Sequence, residues 1–412
     1  MLMAHNRNYR LLFSATAVSN LGDGISALAF PWLASLMTRD PVLIAAVAAA
    51  GRLPWLLFAA PAGVITDRAS RQKLMVWADI LRAILTCGVI GLILSIPEIE
   101  AKRTPAHVWA LAALAFLLGM AEVLRDNAAQ TALPSIVEKA DLETANGQLR
   151  IAEHILSSCR GQPIGGLLSA LALPLPFAFD ALSFALAAGL VAFIAFPQNT
   201  ITRIPQTLWQ DLREGAVWLY QHGLLFRLAI VLGCLNAIDT AYLPLLVLYS
   251  QEVLGLSAFG DGVLTMAGAV GGVLGGISGP TIVKKIGPQR TFLGAQILLM
   301  VEPILIGTTS SVIAVGIGIG IAMFGGVTFN VVTVSYRQRV IPDALLGRVN
   351  SLYRLLSWGM IPLGALAGGL LMSVFEPSLG REIALRMPFL VAIVLLGALF
   401  VYSLLRIRIP NT

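Results

Sequence analysis

Two carboxyl groups in this chain sit where a carboxyl group is costly. Asp23 stands in the apolar stretch of residues 9–37 and Asp239 in that of residues 227–250, each three residues after an asparagine, Asn20 and Asn236. A charge at the centre of a hydrocarbon layer costs about 2.5–3.5 kcal/mol or more, so such a residue needs a partner or a use. Proton exchange is one such use: a neutral carboxylic acid can enter an apolar setting that its carboxylate enters only with a counter-charge. Asp23 is therefore expected to act as a protonation switch, with Asp239 as a second candidate. The expected counter-charges are two arginines inside other apolar stretches, Arg160 and Arg52. The plainer alternative is that Asp23 caps a helix break, since Gly22 and Gly24 flank it and glycine weakens a helix.

The remaining ionisable groups divide by spacing. Arg160 would share a helical face with Ser157, Glu153 and Arg150. Glu153 lies nearly two turns away, so Arg160 needs a partner on another helix or a water-filled cavity. Asp79 and Arg82, three apart, are expected to neutralise one another as a structural pair. Glu122 and Arg125, at the same spacing, either join a gate at the cytoplasmic side or balance each other. Glu302, before Pro303, has no assigned role, and His154 reads as a solvated helix-end histidine rather than a proton shuttle. Trp55, Trp109, Trp218 and Trp358 read as interface anchors or packing. Cys87, Cys159 and Cys234 are odd in number and lack ligand spacing, so neither a disulfide framework nor a metal site is expected. Gly316-Ile-Gly318-Ile-Gly320 follows no strand and points to close helix packing. No enzyme constellation, Walker loop or cofactor motif is found in the sequence, which leaves gradient-driven work.

Composition dictates what must position these groups. Of 412 residues, 57% are hydrophobic and 12% charged, with a mean hydropathy of +0.82. A soluble domain carries about 25% charged residues, so lipid must cover the remaining surface. The net charge of +6 lies in short clusters between apolar runs, which suits orientation signals better than a nucleic-acid patch. A membrane helix needs about 20 apolar residues. Twelve windows fit: 9–37, 42–65, 73–96, 106–128, 149–172 and 177–197, then 227–250, 260–283, 291–309, 312–336, 348–373 and 387–406. The first is too long for the apolar core of a cleaved signal peptide. The expected organisation is a first half at 1–197, a linker at 198–226 with a surface helix near Trp209–Tyr220, and a second half at 227–412. With the N-terminus in the cytoplasm, 19 of the 28 Lys and Arg fall on cytoplasmic segments and 5 on outer loops. Both termini are thus expected inside, in the inner membrane.

The chain also repeats itself. Asn20-x-x-Asp23 and Gly63 return as Asn236-x-x-Asp239 and Gly279, both at an offset of 216. Asn146-x-x-x-Arg150 returns as Asn350-x-x-x-Arg354 at 204, and Gly165-Gly166 as Gly368-Gly369 at 203. Ordered matches at nearly constant offset argue for two parallel six-helix halves.

Gly63-Val-Ile-Thr-Asp67-Arg68-Ala-Ser-Arg71-Gln-Lys73 resembles the signature between the second and third helices of the major facilitator superfamily, with Ser70 at the family's second glycine. The matching loop of the second half keeps Lys284, Lys285 and Gly287 and lacks the aspartate. Asp211-Leu-Arg-Glu-Gly215, Pro342 through Gly347-Arg348-Val349, and Pro362-Leu-Gly364 resemble the drug-efflux subgroup that includes macrolide and enterobactin exporters. Gly161-Gln-Pro163-Ile-Gly165-Gly166 is similar to the antiporter motif of such exporters, its proline displaced by one residue. The resemblance implies an all-α membrane protein of twelve transmembrane helices, with helices 1, 4, 7 and 10 around a cavity. It implies a gate in which Asp67 binds the N-terminus of span 11 and Arg125. Its implied partners are a small-molecule substrate, protons and the lipid bilayer, with the monomer as functional unit. The function expected is export of a small amphiphilic molecule, drug or siderophore in type, by proton antiport. The alternatives are a nutrient symporter and a receptor or scaffold without transport, and nucleic acid is not expected to bind.

Overall fold

A computed structural model describes residues 2–58, 61–62, 65–66, 69–96, 105–138, 141–195, 208–342 and 345–410. Among the described residues all regular structure is helical. We label the long segments α1 (Arg7–Met37), α2 (Pro41–Leu57), α3 (Arg71–Leu94), α4 (Pro105–Ile136), α5 (Leu142–Glu153, continuing to Leu171) and α6 (Pro174–Ala192). After a linker helix at Leu208–Gln221 come α7 (Gly223–Glu252), α8 (Ala258–Ile286), α9 (Pro288–Thr308) and α10 (Val312–Val340). The last two are α11 (Leu346–Trp358 with Met360–Leu379) and α12 (Arg381–Arg406).

Nine helices among the described residues are long and apolar enough to cross a membrane. The windows at 9–37, 42–65 and 149–172 fall on α1, α2 and α5, which are not among the nine. α1 has the length but carries Arg7, Arg10, Asn20 and Asp23, α2 is an apolar helix of 17 residues, and α5 is interrupted. That interruption has a local cause. Pro163 has no amide hydrogen to return to Cys159, and the turn before it, His154–Gly161, is a π-helix. The turn that carries Ser157 and Arg160 is thus wider than the α-helix on which their shared face was expected.

The chain forms two compact units. The first comprises Met1–Arg39, Ala50–Ile204 and Ser257–Val263; the second comprises Asp40–Ala49, Pro205–Leu256 and Leu264–Thr412. Tyr9, Leu12, Met75, Ala128 and Ala187 lie in the core of the first. Tyr242, Tyr249, Phe292, Phe329 and Phe389 lie in that of the second. Large apolar side chains such as Trp77, at 68% exposure, and Ile313, at 76%, face outward, as a hydrocarbon surrounding requires.

α1 passes through Gly22-Asp23-Gly24 as unbroken helix. The reading of Asp23 as a break cap therefore fails, and the glycines have another purpose. A methyl at Gly22 would strike the side chains of Ser183 and Asp180 on α6, and one at Gly24 the backbone of Ser157 on α5. From the α5 side, a methyl at Gly161 would lie 2.6 Å from Gly24 Cα, and one at Gly165 would strike the Ile25 carbonyl. The second unit repeats this at the same offset of 203, with Gly364 against Ala237 and Gly368 against Ala241 on α7. Small residues let the backbones approach where lipid supplies no hydrophobic drive for association. At the start of α3, Ser70 serves as N-cap, its hydroxyl accepting from the Lys73 amide at 3.5 Å. Its φ of −64° shows that no glycine is needed there. Gly287 is different: at φ +85° it takes the left-handed region between α8 and α9, where glycine is at ease.

Candidate functional site

One face of α1 carries Ser19, Asp23 and Ser26, at helical spacings of four and three. This stripe meets two helices of the first unit. From α3, Arg82 forms an ion pair with Asp23, and its Nη1 also donates to Ser19 Oγ at 3.3 Å. The pair is asymmetric, since the Arg82 side chain is 4% exposed and that of Asp23 is 36%. The guanidinium is held from its other side by the Phe184 ring of α6, 3.9 Å from the ring centroid. From α6, Asp180 accepts a hydrogen bond from the Ser26 hydroxyl.

Behind Arg82 the charges continue inward. Asp79, fully buried, lies 3.8 Å from Arg82 and 3.6 Å from Arg125 of α4. Arg125 also faces Asp126 at 3.6 Å and donates to Thr16 of α1 at 3.3 Å. At the side, Arg52 of α2 faces Glu122 of α4 at 3.8 Å. Four carboxyls, Asp23, Asp79, Glu122 and Asp126, thus share three guanidiniums, those of Arg52, Arg82 and Arg125. Such a group is satisfied in more than one protonation pattern, the property that proton exchange needs.

Several sequence expectations change here. The counter-charge of Asp23 is Arg82, whereas Arg160 is exposed and Arg52 is placed against Glu122. Asp79 and Arg82 are not a self-contained pair, because Arg82 turns its fork to α1. Glu122 and Arg125 do not balance each other; each takes a partner on a different helix. Arg125 is engaged with Asp79, Asp126 and Thr16, and its expected gate partner Asp67 lies outside the described residues. Asn20 is half-buried on α1. Gly63, Asp67 and Arg68 lie outside the described residues, as do the side chains of Asn146, Arg150 and His154. Arg71 and Lys73 open α3, the first half-buried and the second exposed. Gly161 closes the π-turn, and Pro163, Gly165 and Gly166 follow it. Gly166 meets Ala258 and Gly262, the portion of α8 that belongs to this unit.

Asp180 is absent from the sequence expectations, although the signal was present: a single acid in the apolar window 177–197, at one helical turn from Phe184. In the second unit, Asp239 accepts from the Tyr242 hydroxyl at 2.9 Å. Asn236 is a tie between helices, its Nδ2 donating to the Ser357 carbonyl at 2.8 Å. Glu302 is buried on α9 at 8% exposure. Among the described residues no three His, Cys, Asp or Glu are grouped so as to hold a metal ion.

The sequence profile of the family described as Transmembrane secretion effector matches residues 4–411. The multidrug efflux pump Tap of Mycolicibacterium fortuitum is 26% identical over 380 residues, covering 87% of this chain and 88% of its own. Macrolide efflux protein A of Streptococcus pyogenes is 23% identical over 235 residues, 56% of each chain. The crystal structure of a bacterial homologue of the iron transporter ferroportin, in its inward-facing state, matches with a TM-score of 0.71 at 19% identity. It covers 96% of this chain and 98% of that one, a likeness of fold.

Proposed function

Because the chain belongs to the transmembrane secretion effector family, a branch of the major facilitator superfamily, and is a multi-pass membrane transporter, we propose that it exports a small amphiphilic molecule by proton antiport. The efflux activity in the names of its relatives supports the direction and the drug-like class of solute. The single observation that carries proton coupling is the asymmetric pair of Asp23 and Arg82. Its carboxylate is partly open and its guanidinium sealed, so a proton arriving from water reaches the acid without exposing the base. Protonation of Asp23 releases Arg82, and the site then differs by one charge between two states of the cycle. Asp239, also exposed on its helix, contacts solute in this reading. The antiport cycle runs in the inner membrane with both termini in the cytoplasm and Asp67 as part of the cytoplasmic gate.

The test is uptake into inverted vesicles on imposing an inward-acid gradient, with a fluorescent amphiphilic cation and a macrolide as probes. Wild-type protein should accumulate probe only with the gradient. Asp23→Asn should bind probe with unchanged affinity yet lose gradient-driven accumulation. Efflux of probe down the same gradient would indicate symport, and no gradient-dependent movement of any probe would remove the transport reading.

A further inference from the structure

Among the described residues Asp180 is the acid of this cluster that forms no ion pair. It is 2% exposed. Its Oδ2 accepts from the Ser26 hydroxyl, while its Oδ1 has no hydrogen-bond partner among the described residues and lies against the backbone of Gly22, where a methyl would sit 2.5 Å away. The hydroxyl of Ser183 also donates to the carbonyl of Asp180, at 2.8 Å. The elements packed on α6 are α1, α3 and the last part of α5, Gln162–Leu171. At this level they bring Asp23, Asp79 and Arg82, and Gln162–Leu171 carries no charged residue. Arg71 and Lys73 stand at the far N-terminal turn of α3, Arg7 and Arg10 at that of α1. Arg82 is therefore the cation facing Asp180, and it is engaged by Asp23 and Asp79. Its guanidinium nevertheless rests on Phe184, one helical turn from Asp180 on the same helix.

A buried carboxylate without an ion pair is far costlier than the neutral acid. We infer that Asp180 is a second proton-carrying group of the transport site, held as the carboxylic acid while Arg82 is engaged with Asp23. When Asp23 takes a proton from water, Arg82 is free to turn along α6 to Asp180, whose own proton then leaves to water. One proton enters at Asp23 and one leaves at Asp180. No other bond is made or broken, and the guanidinium keeps a carboxylate partner throughout. The inference rests on the antiport reading and adds the group that gives the proton up.

The experiment is infrared spectroscopy of the purified full-length protein in lipid nanodiscs at neutral pH, following the C=O stretch of protonated carboxyl groups. Wild-type protein should show a band that Asp180→Asn removes. Asp23→Asn should lose it as well, because Arg82 is then available to ionise Asp180, and the double variant Asp23→Asn with Arg82→Gln should regain it. Ser26→Ala, which removes only a hydroxyl, should leave the band in place at higher frequency. A band that survives Asp180→Asn, or that Ser26→Ala leaves unmoved, overturns the inference even if vesicles transport normally. Vesicles without gradient-driven transport would instead overturn the antiport reading, whatever the spectra show.

Discussion

Arg82 turns away from Asp79, three residues back on its own helix, and pairs with Asp23 of another. The local partner stays at 3.8 Å, and the vacancy is made good by Arg125, 3.6 Å from Asp79 on its other side. A pair within one helix is set by spacing alone, but in a buried site the pairing follows whichever arrangement leaves the fewest uncompensated charges. Here three helices share one chain of alternating charge.

Removing Arg82 should therefore be costly in a specific way. Arg82→Gln leaves Asp23 and Asp79 short of a cation, and breaking a buried pair typically costs about 3–5 kcal/mol. Chemical unfolding in detergent should show a loss of that order, part of it recovered in Arg82→Gln with Asp23→Asn. Full wild-type stability in the single variant would mean that the charges relax elsewhere.

The glycines of α1 are not equivalent to glycines that face open space. Gly24→Ala should lower the melting temperature and weaken the seam of α1 with α5, since overpacking costs about 1–3 kcal/mol and backbone cannot step aside. Gly91→Ala, where an added methyl meets nothing within 4 Å, should be neutral or stabilise by up to about 1 kcal/mol. Equal behaviour of the two variants would remove close packing as the reason for Gly24.

At the other end of the second unit, Arg381 holds a fork. Its Nε and Nη2 donate to the two oxygens of Glu252 at 2.9 and 3.0 Å, and its Nη1 donates to Glu376 at 2.9 Å. Lysine offers a point charge rather than a planar fork, so Arg381→Lys should lose about 1–2 kcal/mol, on the scale of one charge-assisted hydrogen bond. Double-mutant cycles with Glu252→Gln should show coupling. Additive effects would mean the fork is solvated and contributes nothing.

Tyr242→Phe removes the hydroxyl bonded to Asp239 at 2.9 Å and leaves its ring, 4.9 Å from that of Phe389, in place. Folding should suffer by about 1 kcal/mol, and solute affinity should change through the unpartnered Asp239 carboxylate. Binding titrations of variant and parent that overlay would take Asp239 out of the solute site.

Topology is open to direct measurement. Reporter fusions after Lys73, Gln210 and Arg408 should score cytoplasmic, and one after Lys102 periplasmic, on the positive-inside argument. An outside signal at Gln210 would break the division into two six-helix halves.

Hydropathy windows and the repeat at offsets of 216 and 203 were legible in the sequence because both are one-dimensional signals: twenty apolar residues span a membrane whatever lies beside them. The same holds for Gly165 and Gly368, whose recurrence marked them before any contact was seen. The costly acids, Asp23 and Asp239, were equally plain, since a carboxyl in an apolar run stands out. That much the amino-acid sequence determined by itself, together with the family and the expectation of a transporter. Which cation meets which acid was decided only by the tertiary structure. Spacing identifies neighbours three or four residues apart on one helix, so it paired Asp79 with Arg82 and left Glu122 and Arg125 either balancing each other or joining a gate. The rotation and close approach of α1, α3, α4 and α6 instead bring Arg82 to Asp23, Arg125 to Asp79 and Asp180 to Ser26. Those rotations follow from where Gly22, Gly24 and Gly161 let backbones touch and from the π-turn before Pro163, and neither can be read from the period of the sequence.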